Sequence, residues 1–105
     1  MPREPKRVIW APKAKQDLRG IWRYFARVAS PEIADNLLRD IDRAAAGLDE
    51  RALQWRARDD VMPGLRSVRA HPYTVFYRVT DASVEIVRVL HGRRNFPAVF
   101  SKERR

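Results

Sequence analysis

The chain has 105 residues, a formal net charge of +9 and 45% hydrophobic residues, which is enough to fill the core of one domain. It has no Cys, which excludes disulfides and Cys-ligated metal sites. No apolar run is long enough to span a membrane, and no signal-peptide core follows the basic N-terminus. We therefore predict a single domain over residues 1–105, cytoplasmic and without a membrane partner.

The first half of the chain predicts a short strand and two helices. The strand is the β-type run at residues 8–10. Two apolar stripes follow at spacings of three and four, and Ser30-Pro31 separates them as an N-cap and a first helical residue. The stripes are Ala14, Leu18, Ile21, Trp22, Phe25 and Val28, then Ile33, Leu37, Leu38, Ile41, Ala45 and Leu48. The short connection predicts an antiparallel helical hairpin.

The second half of the chain predicts a β-meander. Residues 50–64 lack a clear period and end in Pro63-Gly64, the residue order of a type II turn. Three strands follow, "LRSVRA", "YTVFYRV" and "SVEIVRVL", with tight turns at residues 71–72 and 81–82. The fold class is then α+β: an N-terminal edge strand and a helical hairpin packed on a small antiparallel sheet, in the order β-α-α-β-β-β. We expect the tail "SKERR" to fray, and one sheet face to stay open to solvent with Arg66, Arg78 and Arg88 on it.

Charge is distributed unevenly along the chain. Residues 51–105 hold 12 basic and 5 acidic residues, a net charge of +7, against 10 and 8 in residues 1–50. A basic field of this size attracts polyanions or an acidic protein partner, although solubility is the simpler explanation. Arg greatly outnumbers Lys, and the planar guanidinium suits phosphate and carboxylate.

The sequence contains few residues or motifs that are typical of catalytic or metal-binding sites. No nucleotide-binding glycine loop, HExxH motif or nucleophile elbow is present, and His71 and His91 are the only imidazoles. We predict no metal and no cofactor. Metal-free RNA cleavage by the 2′-hydroxyl stays open, because it needs only acid–base groups and cations around the phosphate. The candidates for those parts are His91, His71, Arg66, Arg78, Arg88, Arg93 and Arg94, although a His at a strand end is more often a surface or hydrogen-bonding residue.

Three segments carry a resemblance to a known family. They are the opening "VIWAPKAKQDLRGIWRYF", the central "MPGLRSVRAHPYTVFYRV" and the closing "VEIVRVLHGRRN". Together they resemble the ParE branch of the RelE/ParE toxin superfamily over about residues 7–100. The resemblance implies a plasmid-stabilisation toxin that is not an enzyme, poisons DNA gyrase, arrests growth and is neutralised by a ParD-like antitoxin. The RelE-like branch cuts messenger RNA on the ribosome, often with a C-terminal Tyr, whereas this chain has Phe96 and Phe100 there and no Tyr after Tyr77.

The resemblance leads to two predicted surfaces. The target-binding residues, facing gyrase, its bound DNA or both, are His91, Arg93, Arg94, Arg66 and Arg78. The antitoxin-binding residues, in an apolar groove of the helical hairpin, are Trp22, Phe25, Leu37 and Ile41. If the chain is instead a ribosome-dependent endoribonuclease, the catalytic residues are His91, Arg66 and Arg88. A non-toxic nucleic-acid-binding module is the third possibility.

Overall fold

The computed structural model describes residues 5–103. Nine helices and strands lie in this range: β1 (Arg7–Trp10), α1 (Pro12–Val28), α2 (Pro31–Ala46), α3 (Leu48–Arg51), β2 (Arg56–Ala57), β3 (Arg66–Ala70), β4 (Tyr73–Val79), β5 (Ser83–His91) and α4 (Phe96–Glu103). The five strands form one sheet in the spatial order β1-β5-β4-β3-β2. The α+β class and the helical hairpin packed on a sheet are confirmed.

The helical hairpin is formed as its sequence pattern predicts. Proline occupies the first turn of both helices, where its missing N–H leaves no hydrogen bond unmade. The Ser30 hydroxyl accepts a hydrogen bond from the Ile33 N–H at 3.1 Å and caps α2. The buried members of the two stripes, among them Ile21 and Ile41, pack against the sheet. The hairpin therefore covers one face of the sheet.

The sheet is mixed, and here the structure departs from the predicted antiparallel sheet. Strands β2 to β5 pair antiparallel, but β1 pairs parallel with β5, with Arg7 opposite Ser83 and Trp10 opposite Ile86. Parallel neighbours require a long crossover, which the helical hairpin and the meander provide together. A pairing between residues so far apart leaves no local pattern in the sequence, so it could not be predicted.

Part of the second face of the sheet is covered, which differs from our expectation of an open face. The tail does not fray over its described part, because α4 continues to Glu103 and packs on this face. Phe76 of β4 meets the rings of Phe96 and Phe100 edge-on, with centroids 4.8 and 5.1 Å apart. Met62, Leu65 and Leu90 complete this smaller apolar cluster. The domain therefore has a core on each side of its sheet, and α4 contributes to the second one.

The predicted turns are also confirmed. Gly64 has φ +79, and the Leu65 N–H donates to the Met62 carbonyl at 3.1 Å, as in a type II turn. Residues 71–72 join β3 to β4, and Asp81 and Ala82 lie at the tip of the turn between β4 and β5. These turns set the registers that place the basic side chains.

Candidate functional site

The turn after β5 is a compact structure that presents two arginines. The Arg94 N–H donates to the His91 carbonyl at 3.0 Å, and the Arg93 N–H donates to His91 Nδ1 at 3.1 Å. Asn95 then caps α4 by accepting from the Ala98 N–H at 3.1 Å. With the strand on one side and the capped helix on the other, Arg93 and Arg94 are both exposed.

The β3–β4 turn lies directly beside this segment. The Gly92 N–H donates to the Pro72 carbonyl at 2.9 Å, and a Cβ added at Gly92 would lie only 3.3 Å from that oxygen. Glycine is therefore the residue that most easily allows the backbone at position 92 to lie this close to the Pro72 carbonyl. Arg69 Nη2 lies 3.2 Å from His71 Nδ1 on the neighbouring turn.

These contacts bring five side chains to one end of the sheet, and we call them the basic end: Arg69, His71, His91, Arg93 and Arg94. Three of them, His91, Arg93 and Arg94, were predicted from the sequence as target-binding residues, and Arg69 was not. The signal was available, because the two-residue turn at 71–72 places Arg69 opposite Thr74 and near the end of β5.

His91 is oriented within this end. Its ring meets Tyr73 edge-on with centroids 5.4 Å apart, and burial raises the pKa of Tyr73 above its usual value. Since Nδ1 accepts the Arg93 N–H, Nε2 carries the proton of the neutral ring. The ring lines a pocket of about 310 Å³ together with Tyr24 and Arg94. His91 can therefore donate a hydrogen bond through Nε2.

Arg93 and Arg94 keep their charge available for a partner. Between residues 5 and 103, neither guanidinium lies within ion-pair distance of a carboxylate. The carboxylate of Asp17 also lines the pocket beside His91, but it is bound to Arg88. The basic end is therefore positively charged and has a fixed backbone.

Two other predicted target-binding residues lie elsewhere. Arg66 is at the far end of β3, opposite Tyr77, whereas Ala70 pairs with Tyr73 near His91. Four residues of strand separate the two ends by about 13 Å. Arg66 Nη1 donates to the Trp55 carbonyl at 2.7 Å, so it holds the loop before β2. Arg78 contacts the sulfur of Met62. The five predicted residues therefore do not form one surface, because the register separates them.

Arg88 does not lie open on the solvent face, which corrects our expectation. Its Nε and Nη2 donate to the two oxygens of Asp17 at 2.8 and 2.9 Å, and the side chains are only 15% and 14% exposed. Asp17 Oδ2 also accepts from the Val89 N–H at 2.9 Å. The pair ties α1 to the part of β5 that extends beyond β1. The Arg88 guanidinium is thus bound to Asp17 and is poorly placed to contact a phosphate in the nuclease role considered above.

The four predicted antitoxin-binding residues differ in accessibility. Ile41 has no exposed surface and is a core residue, which leaves none of its side chain for a partner. Phe25 and Leu37 are half-buried against the core. Trp22 donates its indole N–H to Asp35 at 2.8 Å and links the two helices. The exposed large apolar side chains of the hairpin, which the sequence analysis did not select, are Tyr24, Val28 and Ile33.

The described residues hold neither a cluster of metal ligands nor a membrane-spanning helix. Between residues 5 and 103, no three His, Asp or Glu side chains come together as ligands for a metal ion. No helix in that same range has the length and apolar character needed to cross a membrane.

Comparison with known proteins decides the family. Residues 8–96 match the family described as the ParE toxin of the type II toxin–antitoxin system parDE. The chain belongs to the ParE toxin family.

Individual ParE relatives cover most of the chain. Toxin ParE1 of Mycobacterium tuberculosis (strain H37Rv) is 37% identical over 92 residues, which span 83% of this chain and 90% of the relative. Toxin ParE3 of Caulobacter vibrioides is 31% identical over 97 residues, covering 92% of this chain and 97% of the relative. A solved structure of the chromosomal ParDE system from P. aeruginosa superposes with a TM-score of 0.74 at 26% identity, covering 82% of this chain and 95% of the other. This ParE is therefore a toxin of a type II toxin–antitoxin system.

Proposed function

We propose that this ParE arrests growth by poisoning DNA gyrase. Membership of the ParE family over residues 8–96 carries the proposal. The exposed Arg93 and Arg94 at the basic end supply a surface that complements phosphate or carboxylate groups on gyrase or its DNA.

A cellular experiment separates this function from messenger-RNA cleavage. The chain is induced in its own source organism, and protein-linked DNA breaks and transcript integrity are followed together. We expect breaks with intact transcripts. Cut transcripts without breaks, lost in the His91→Ala variant, would replace the gyrase proposal with the ribonuclease.

Charge reversal then locates the contact. Arg93→Glu with Arg94→Glu should abolish the breaks, because it places two carboxylates where phosphate or carboxylate would bind. Arg19→Glu with Arg23→Glu is the matched control, since it changes the net charge equally on the exposed surface of α1. Equal loss of activity in both double variants would assign the effect to overall charge rather than to the basic end.

We also propose that a ParD-like antitoxin neutralises the chain by packing on the helical hairpin. The half-buried Trp22, Phe25 and Leu37, with the exposed Tyr24 nearby, give an apolar surface on which an amphipathic segment can lie. The antitoxin gene is expected beside this one. Co-expression should yield a complex that survives purification, and Tyr24→Glu should weaken it more than Arg19→Glu does.

A further inference from the structure

A groove of about 490 Å³ lies on the second face of the sheet, where the β2 and β3 side meets the start of α4. Its walls combine three arginines with two aromatic rings, and we call it the arginine groove: Arg56, Arg58, Arg69, Trp55 and Phe96. It does not include Arg93 or Arg94, although Gly92 borders it.

Strand register explains why the cations share one face. Arg56 lies opposite Ser67 across β2 and β3, and Arg69 lies opposite Thr74 across β3 and β4. Ser67 and Arg69 are two residues apart, so their side chains point to the same face, about 7 Å from one another along the strand. The Arg58 N–H continues this ladder by donating to the Leu65 carbonyl at 2.7 Å.

Arg58 forms the fixed wall of the groove. Its guanidinium lies 5.6 and 5.4 Å from the ring centroids of Phe76 and Phe96. Its Nε and Nη2 donate to the Asp60 oxygens at 3.1 and 3.2 Å, and this hydrogen bonding lowers the pKa of Asp60. The charge of Arg58 is thus matched by Asp60.

Arg56 and Arg69 leave the groove with a net positive charge. Between residues 5 and 103, neither of them forms an ion pair with a carboxylate. Both are exposed, and Arg69 Nη2 lies 3.2 Å from His71 Nδ1. A ligand that carries repeated negative charges would complement the pair.

Trp55 adds a flat apolar surface beside the charges. The residue is 43% exposed, which is a large exposed fraction for a tryptophan. Its backbone is held by Arg66, which donates to the Trp55 carbonyl at 2.7 Å. Proteins bind single-stranded nucleic acids with this combination of an exposed aromatic ring and an arginine-lined groove, in which phosphates lie on the cations and an unpaired base lies on the ring.

We propose that the arginine groove binds single-stranded nucleic acid and does not cut it. Arg56 and Arg69 contact phosphates, and Trp55 stacks with a base. Cleavage is not expected, because the lining offers arginines, hydroxyls and aromatic rings, and arginine does not exchange its proton at working pH. The proposal concerns the toxin alone and goes beyond gyrase poisoning, so either one can fail without the other.

Fluorescence anisotropy of the full chain tests the proposal with three labelled probes: oligothymidine and oligouridine of twelve nucleotides, and a twelve-base-pair duplex DNA. We expect both single strands to bind more tightly than the duplex and to remain intact. Similar affinity for the two single strands would mean that only phosphates and bases are contacted, and a preference for oligouridine would add a 2′-hydroxyl contact. No binding at 50 mM salt, tighter binding of the duplex, or cleavage of oligouridine would overturn the proposal.

Variants assign the two parts of the groove. Arg56→Ala with Arg69→Ala should lower the affinity at least tenfold and reduce the slope of log affinity against log salt by about 1.4, the value for two lost phosphate contacts. Trp55→Ala should lower the affinity roughly tenfold with the slope unchanged. Arg19→Ala with Arg23→Ala removes the same charge elsewhere and should change the affinity less than about threefold. Thermal melting confirms that each variant folds. An equal loss in the control pair, or full affinity in the Arg56/Arg69 variant, would contradict the assignment.

Discussion

Tyr77 is a single residue that joins the sheet to the loop before β2. Its side chain is fully buried, and its hydroxyl donates to the Ala52 carbonyl. Burial raises the pKa of Tyr77 to about 12. The folded state therefore keeps this proton over a range of pH in which the unfolded chain has lost it.

Tyr77 should make stability fall at alkaline pH. The stabilising contribution is complete below about pH 10, where the unfolded tyrosine titrates, and is lost as the pH rises towards 12. Tyr77→Phe should cost about 1 kcal/mol at pH 8 through the lost hydrogen bond. Urea unfolding at pH 8 and pH 11 measures the difference in the free energy of unfolding between the wild type and Tyr77→Phe. This difference should be smaller by about 1 kcal/mol at pH 11. A difference that stays constant would contradict the buried, protonated phenol.

The Asp17–Arg88 ion pair is a polar link between α1 and β5. Asp17→Ala should lower the free energy of unfolding by about 3 kcal/mol, because it removes the carboxylate that accepts hydrogen bonds from both the Arg88 guanidinium and the Val89 N–H. Asp42→Ala, on the exposed face of α2, is the control and should change stability by less than about 0.5 kcal/mol. If urea unfolding gave equal stabilities for the two variants, the Asp17–Arg88 pair would not contribute to the stability of the fold.

The C-terminal helix α4 is the element that gives the sheet its second core. Phe100 is 2% exposed and packs on Phe76. Phe100→Ala should cost about 3 kcal/mol and expose the second sheet face. Thermal melting, with the binding of an apolar dye, measures both effects. Val28→Ala, at a position 54% exposed, is the matched control. A Phe100 variant as stable as that control would mean that α4 does not hold the second core.

The elements also show which structure a sequence alone can predict. The helical hairpin and the turn at Pro63-Gly64 depend on local periodicity and local backbone preference, so they were predicted. The parallel pairing of β1 with β5 joins distant residues and has no local signal. Helix α4 did have one, because Asn95 is an N-cap residue and Phe96, Val99 and Phe100 are spaced three and four apart.

The candidate site also combines features that have a local sequence signal with features that depend on long-range packing. His91, Arg93 and Arg94 are neighbours in sequence, so their grouping was predictable. Arg69 joins them through the pairing of β3 with β4, which the two-residue turn at 71–72 also made predictable, and the same register places Arg66 at the other end of the strand. The arginine groove required the pairing of β2 with β3 and the packing of α4, neither of which local patterns predict.

At the scale of the whole molecule, the basic half of the sequence is also the half that forms most of the sheet. Strands β2 to β5 and helix α4 all come from residues 51–105. This half of the chain contains 12 basic and 5 acidic residues. The sheet therefore carries the basic end and the arginine groove, while α2 contributes acidic residues such as Asp35, Asp40 and Asp42. A field of this polarity steers the sheet side towards nucleic acid or an acidic protein surface.

The most direct test of gyrase poisoning is a reconstitution. The purified chain is added to gyrase from its own source with ATP and relaxed plasmid, and linear DNA is scored after protease treatment. If the chain poisons gyrase, we expect loss of supercoiling with protein-linked double-strand breaks. Unchanged supercoiling and no breaks, with the chain shown to be folded, would contradict it and direct attention to ribosome-bound RNA and His91.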